Sequence, residues 1–230
     1  RAKLRISEHQ TERDSAVLNA DDPVLAKQSP GHPRVCWFSR TRSLPRGASV
    51  DGGKIVFREE RGETVLLERS DIQLRGEHNV ENVLAAVSAA HLMGASAAAI
   101  AAGVRSFPGV EHRIEFVAEI GGVQFFNDSK ATNVDAALKA IDAFPGGLFL
   151  ILGGKDKGSD YSPLIDPLRK HVKLVMLIGA AAAKIETQIG SSVSTIRAGT
   201  LDRALAVADE RAGPGDTVLL APACASFDQF

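Results

Sequence analysis

Neither sign of charge is in excess: 27 Lys and Arg stand against 28 Asp and Glu in 230 residues, a formal net charge of −1 at pH 7. Such a chain has no global field with which to gather nucleic acid or an acidic membrane, so any phosphate binding must come from local geometry. Cysteine is scarce as well. Cys36 and Cys224 lie far apart, without His or Cys at metal-ligand spacing, which excludes a disulfide framework and leaves two small, reduced, buried thiols. No stretch nears the roughly 18 apolar residues of a membrane span, and nothing at the N-terminus has the pattern of a signal peptide. A Walker A loop is missing too: Gly153 is followed by Gly158 and then by Ser159, where that motif needs Lys.

What is present falls into two halves. The first is β-rich and irregular, with short strands at Ser15–Asn19, 34–38, 54–58 and 64–68, separated by Asp-Pro, Pro-Gly and Gly-Gly turns. Val80, Val83, Leu84 and Val87 then fall at helical spacing, and 95–104 forms a second, alanine-rich helix. Phe107-Pro108-Gly109 ends the helical pair and marks a boundary, giving domains over 1–110 and 111–230. Beyond it a hairpin is predicted over Glu115–Ile120 and Val123–Asn127. Apolar strands at 148–152, 174–178, 193–196 and 217–221 then alternate with helices near 134–143, 162–171, 180–189 and 201–212. The fold class is therefore α/β. A mixed sheet with helices comes first, followed by a domain whose sheet is mostly parallel and covered on both faces. The chain opens on Arg-Ala-Lys-Leu-Arg-Ile and stops on Phe-Asp-Gln-Phe, which reads as an internal piece of a longer protein.

Ligands of parallel sheets bind beyond the carboxyl ends of the strands, and the polar motifs lie there. Residues 127–133 read Asn-Asp-Ser-Lys-Ala-Thr-Asn, between a strand and a helix start where unpaired N–H groups and the helix dipole favour an anion. A turn rich in capping residues accounts for the same composition. Residues 153–161 form a glycine-rich loop with Lys155 and Lys157, either a solvated turn or a backbone that admits a ligand closely beside a fixing cation. Asn79 is placed to cap the first long helix, with Asn82 in its first turn; alternatively the two amides meet a purine edge. Arg113 is either a surface charge or a phosphate contact at a domain junction. Lys3, taken alone, is a solvated lysine.

Together these motifs resemble the Mur ligases of peptidoglycan synthesis, over essentially the whole chain. The carriers are Ala2-Lys3-Leu4-Arg5-Ile6, Asn19-Ala20-Asp21-Asp22, Gly76-Glu77-His78-Asn79 with Asn82, and His112-Arg113. They continue with the heptad 127–133, Leu152-Gly153-Gly154 with Lys157-Gly158, and Pro222-Ala223-Cys224-Ala225-Ser226 with Asp228-Gln229-Phe230. The resemblance implies the later part of a central ATPase domain (1–110) and most of a C-terminal Rossmann-like domain (111–230), in a cytoplasmic enzyme that is monomeric when intact.

The heptad resembles the branch of the family that adds D-glutamate to UDP-N-acetylmuramoyl-L-alanine. That reaction uses ATP and Mg²⁺ and passes through an acyl phosphate, with no nucleic-acid partner and no membrane insertion. By the same resemblance Lys3 is carbamylated and ligates Mg²⁺. Asn79 and Asn82 lie near the adenine, and Arg113 and Asp128 contact ATP. Lys130, Thr132, Lys157 and Ser226 hold D-glutamate and the developing intermediate, with Lys130, Lys157 and Asp128 in the catalytic group. Two other readings compete: a folylpolyglutamate-synthase-like amide ligase of the same architecture, and a non-catalytic nucleotide-binding module. Lacking a Walker A cradle, the 230-residue chain by itself is expected to hydrolyse no ATP. Substrate-dependent phosphate release by the purified chain would contradict this.

Overall fold

The computed structural model describes residues 2–27 and 33–225, with side chains from Arg5 onward. It divides into two compact units, residues 1–108 and 109–230.

The first unit is a five-stranded sheet in the order β1-β2-β3-β4-β5. Its strands are β1 (Ser15–Asn19), β2 (Arg34–Ser39), β3 (Gly47–Asp51), β4 (Lys54–Glu59) and β5 (Gly62–Glu68). β1, β2 and β3 run parallel, and β3, β4 and β5 form an antiparallel meander. Gly52 and Gly53 at φ 54° and 80° close the β3–β4 hairpin, the positive pair that a twist-matched two-residue turn demands. Alternation along the strands sends Cys36, Phe38, Ala48, Ile55 and Phe57 to one face. There they pack on Val80, Val83, Leu84 and Val87 of α1 (Glu77–Leu92) and on Ile100 of α2 (Ala97–Ser106). Cys36 and Cys224 are both buried.

The second unit is a six-stranded sheet in the order β10-β9-β8-β11-β7-β6. The hairpin comprises β6 (Glu115–Ile120) and β7 (Val123–Asn127), joined through Gly121-Gly122 at φ 60° and 81°. Then follow α3 (Val134–Asp142), β8 (Leu148–Gly153), α4 (Ile165–His171), β9 (Val172–Ile178), α5 (Ala182–Ile189), β10 (Thr195–Gly199), α6 (Leu201–Arg211) and β11 (Thr217–Leu220). All pairings are parallel except β6–β7. A bulge between Phe116 and Ala118 interrupts β6, and Phe116, Val117 and Ile120 are exposed on this edge strand.

Crossover handedness arranges the layers. The steps β7→β8→β9→β10 all run one way across the sheet, and α3, α4 and α5 share one core with Leu148, Leu150, Leu152, Leu177 and Leu219. α6 steps back from β10 to β11, and a right-handed crossover in the reverse direction must pass over the opposite face. There Ala204 and Ala208 pack with Phe149, Ile151, Met176 and Val218. The β10 strand lies two residues later than the sequence pattern places it, and β3 was not predicted at all; its Gly-Ala-Ser start carries no β-branched signal.

Leu150 is fully buried in the central strand. Leu150→Ala is expected to destabilise the unit by about 2–5 kcal/mol, read as a lowered denaturation midpoint in urea. An unchanged midpoint would contradict this packing.

Candidate active site

The sheet order makes neighbours of three loops. β11 lies between β7 and β8, so the segment 221–225 leaves the sheet between the heptad after β7 and the glycine loop after β8. Backbone bonds stitch the three together: Asp128 N–H to Leu220 O (2.8 Å), Ala223 N–H to Ala131 O (2.8 Å), and Gly153 N–H to Pro222 O (2.9 Å). Lys155 and Ala225 add a short antiparallel bridge. The turn at Ala223 takes φ 55°, a left-handed conformation that these bonds on both sides hold in place.

Within the heptad the N–H groups of residues 128–132 are already occupied. Ser129 N–H binds the Asn127 side-chain oxygen (3.0 Å). Lys130 N–H reaches His112 O, Ala131 N–H reaches Asp128 O, and Thr132 N–H reaches Lys130 O. Asn133 caps α3, its Oδ1 accepting from Ala136 N–H at 2.9 Å. The N–H groups of residues 128–132 are therefore taken, partly within the turn and partly by Leu220 O and His112 O outside it. Asn127 and Asn133 hold the turn, which carries exposed Lys130 and half-buried Thr132.

Asp128 is buried at 8 % exposure. Burial pushes its carboxyl up to about 6, against the opposing pull of the Ile114 N–H and the Arg113 charge. Arg113 sits on a strained corner, flanked by His112 at φ 64° and Ile114 at φ 45°. Glu115 holds that corner by accepting from His112 N–H (2.8 Å), and the Asn127 amide nitrogen meets His112 Nδ1 at 3.0 Å.

The glycine loop approaches its neighbours so closely that side chains do not fit. A Cβ on Gly153 would lie 2.1 Å from Ile178 O, and one on Gly154 2.6 Å from Ala225 O. Lys157 is exposed on this loop and makes no ion pair with another described residue, as is also true of Lys130. Asp156, beside Lys157, bonds to Tyr161 Oη (3.0 Å) and Lys184 Nζ (2.8 Å). Tyr161 is fully buried, and its hydroxyl lies 2.9 Å from Cys224 Sγ. Burial, then Cys224 and Asp156, drives this phenol well above its usual range.

In the first unit Asn79 does not cap α1. Gly76, at φ 89°, takes the cap position, and the helix begins at Glu77. Asn79 instead donates to Arg75 O (2.7 Å), and Asn82 donates to Asn79 Oδ1 (3.1 Å). The two amides are thus coupled one turn apart, with Asn82 exposed and keeping an acceptor and a donor for a ligand. The flanking acids are anchored as well: Arg40 binds Glu77 (3.1 Å) and Glu81 (3.3 Å), and Arg69 binds Glu77. Arg40 is itself set by Asp21, whose carboxylate accepts from Ser39 Oγ, Arg40 N–H and Thr41 Oγ1.

The structure thus brings Asp128, Lys130 and Thr132 onto one turn and Lys157 onto a loop joined to it through 221–225, and it couples Asn79 with Asn82. Ser226 and the Lys3 side chain lie outside what is described. Among the described residues no group of three or more His, Cys, Asp or Glu side chains could hold a metal ion. No described helix is long and apolar enough to cross a membrane. Asp156, Tyr161 and Glu115 were not singled out from the sequence; Asp-x-Gly at 156–158 was the one local signal, a turn signature.

Asp128 has a stability consequence. An acid whose folded pKa exceeds its unfolded value stabilises the fold below the unfolded value and loses that contribution as pH rises through the folded one. Between about pH 4 and 7, Asp128→Asn should therefore gain on the parent protein by up to about 3 kcal/mol. Melting temperatures across that range would show it, and a constant difference would contradict it.

Comparison with known proteins adds two family profiles: the Mur ligase middle domain over residues 1–90, and the Mur ligase, glutamate ligase domain over residues 112–224. The chain is 57 % identical over its full length to the UDP-N-acetylmuramoylalanine–D-glutamate ligase of Acidobacterium capsulatum, covering 50 % of that protein. It spans about half the length of the curated relatives it matches. Its fold is similar to a pseudomurein peptide ligase type C from Methanothermus fervidus, with TM-score 0.70 and 19 % identity over 95 % of this chain and 55 % of that one. The MurF ligase of Thermotoga maritima, solved in complex with ADP, gives TM-score 0.67 and 20 % identity over 95 % and 52 %. With its first unit matching the middle domain and its second the glutamate ligase domain, the chain belongs to the Mur ligase family.

Proposed function

We propose that the intact protein carrying this chain joins D-glutamate to UDP-N-acetylmuramoyl-L-alanine in ATP-dependent peptidoglycan precursor synthesis. On this reading residues 1–110 belong to the central ATP-binding domain and 111–230 to the C-terminal domain of a monomeric, cytoplasmic enzyme. The observation that carries the reading is the heptad turn. The N–H groups of 128–132 are occupied by main-chain and Asn127 acceptors, while exposed Lys130 and half-buried Thr132 stand on a turn joined through 221–225 to the loop that bears Lys157.

Two lysines on adjoining loops suit a dicarboxylic amino acid and the charge that develops on its partner. Lys130 and Lys157 neutralise the D-glutamate carboxylates and the oxyanion of the tetrahedral intermediate, and Thr132, with Ser226, orients them by hydrogen bonds. ATP, when bound, supplies the phosphoryl group that activates the L-alanyl carboxylate as an acyl phosphate. Asn82, steadied by Asn79, offers a donor and an acceptor to the adenine edge. Arg113 brings a fixed charge to the phosphates, and Asp128, beside it, offers a carboxylate to the nucleotide. For the metal, carbamylated Lys3 is proposed as a ligand by family likeness, and no step is assigned to it.

In the intact protein Lys130→Ala should lower D-glutamate-dependent phosphate release on the order of 100-fold or more. Near-normal turnover would overturn the role of Lys130. Turnover with folate and L-glutamate in place of UDP-N-acetylmuramoyl-L-alanine and D-glutamate would favour the polyglutamate ligase instead.

A further inference from the structure

Lys157 stands in a loop whose composition invites motion: Gly153, Gly154 and Gly158 all lie at positive φ, and Lys157 itself is exposed. A lysine on a wandering loop is a poor clamp, since ordering it on binding would subtract from affinity. The loop is nevertheless tied down on both sides of Lys157 by one carboxylate. Asp156 Oδ1 accepts from Gly158 N–H (3.1 Å) and Ser159 N–H (3.3 Å), so that the turn closes around Lys157. The same oxygen accepts from Tyr161 Oη at 3.0 Å, and Oδ2 accepts from Lys184 Nζ at 2.8 Å.

These partners belong to other parts of the fold. Lys184 is on α5, its ammonium 5.6 Å from the centre of the Tyr161 ring. Gln188, one turn further along, accepts from Tyr161 N–H at 2.8 Å. The Tyr161 hydroxyl also meets Cys224 Sγ (2.9 Å), in the segment that leads to Ser226, next to the Lys155–Ala225 bridge. The Lys184 ammonium holds the Asp156 carboxyl below its usual range, so the hub stays ionised at neutral pH.

We propose that Asp156 is a positioning residue: it pre-forms the loop presenting Lys157 and, through the buried Tyr161 hydroxyl, locks that loop to the segment at Cys224. The inference rests on the reading of Lys157 as a D-glutamate clamp and adds what holds it. Asp156 touches no substrate, and its effect falls on amino-acid binding alone.

The test uses the intact protein, with Lys157→Ala as reference. Asp156→Ala is expected to raise KM for D-glutamate about 10- to 100-fold while KM for ATP stays within about 2-fold. Asp156→Asn, which keeps the oxygen that accepts from Gly158 and Ser159, restores most of the loss. Amide hydrogen exchange across 155–160 should accelerate in Asp156→Ala, and Cys224 should become reactive toward a thiol reagent. Should Asp156→Ala fail to fold, Tyr161→Phe gives the same pattern through loss of one hydroxyl: faster Cys224 labelling and a raised KM for D-glutamate.

A normal KM for D-glutamate in Asp156→Ala while Lys157→Ala raises it, or an equal rise in both KM values, overturns the proposal. If Lys157→Ala itself leaves KM for D-glutamate unchanged, it is the reading of the site that fails. The positioning role is then decided by exchange across 155–160, and unchanged protection there overturns it.

Discussion

The second unit depends on the pairing of β11, a four-residue strand hydrogen-bonded on both sides, to β8 and to β7. Its Leu219 faces one core and its Val218 the other, so this short strand belongs to both layers. Its start is fixed by Asp216, which accepts from Lys173 Nζ at 2.6 Å and from Gly213 N–H at 3.1 Å. In this unit the heptad and the glycine loop are both placed relative to its end. The heptad and the glycine loop come from strands that do not touch each other, and they become neighbours only because β11 fills the slot between them. The reversal of direction that inserts β11 also sends α6 to the far face, leaving α3, α4 and α5 together behind the site.

That placement divides the work between backbone and side chains. Main-chain groups of 128–132, 153–155 and 221–225 bond to one another and define a frame. Strain is accepted where the frame demands it, at His112, Ile114 and Ala223. Recognition is left to side chains that project from the frame. On the proposed reading this suits the lysines to carboxylate and phosphoryl oxygens, because lysine is a compact charge with freely rotating donors. The first unit follows the same plan: Asp21 sets Arg40, Arg40 ties two acids of α1, and the coupled amides Asn79 and Asn82 lie among them.

Local chemistry made much of this legible in sequence. The hairpin 115–127 was readable to the residue, since alternating apolar positions flank a Gly-Gly pair that permits one kind of turn. Strands β8 and β9 were readable because they are apolar on both faces. β3 was not, because Gly47, Ala48 and Ser49 are chosen for close packing: a Cβ at Gly47 would lie 2.0 Å from Trp37 O. Asn79 was misplaced as a cap because its side chain is a good capping group; the glycine at 76, with its positive φ, took that role. The strand order was beyond reach, since it is set by pairings between distant segments. For the same reason the links of Asp156 to Lys184, Tyr161 and Cys224 leave no mark on spacing.

The β6 edge has a bearing on colloidal behaviour. Three apolar side chains exposed on a hairpin edge would ordinarily invite a second sheet to add on, strand against strand. The bulge between Phe116 and Ala118 breaks the two-residue repeat on that edge, so a straight incoming strand could match its donors and acceptors over only part of the length. The irregularity costs this domain a little pairing energy within the hairpin, and in return makes this apolar edge a poor template for filament growth.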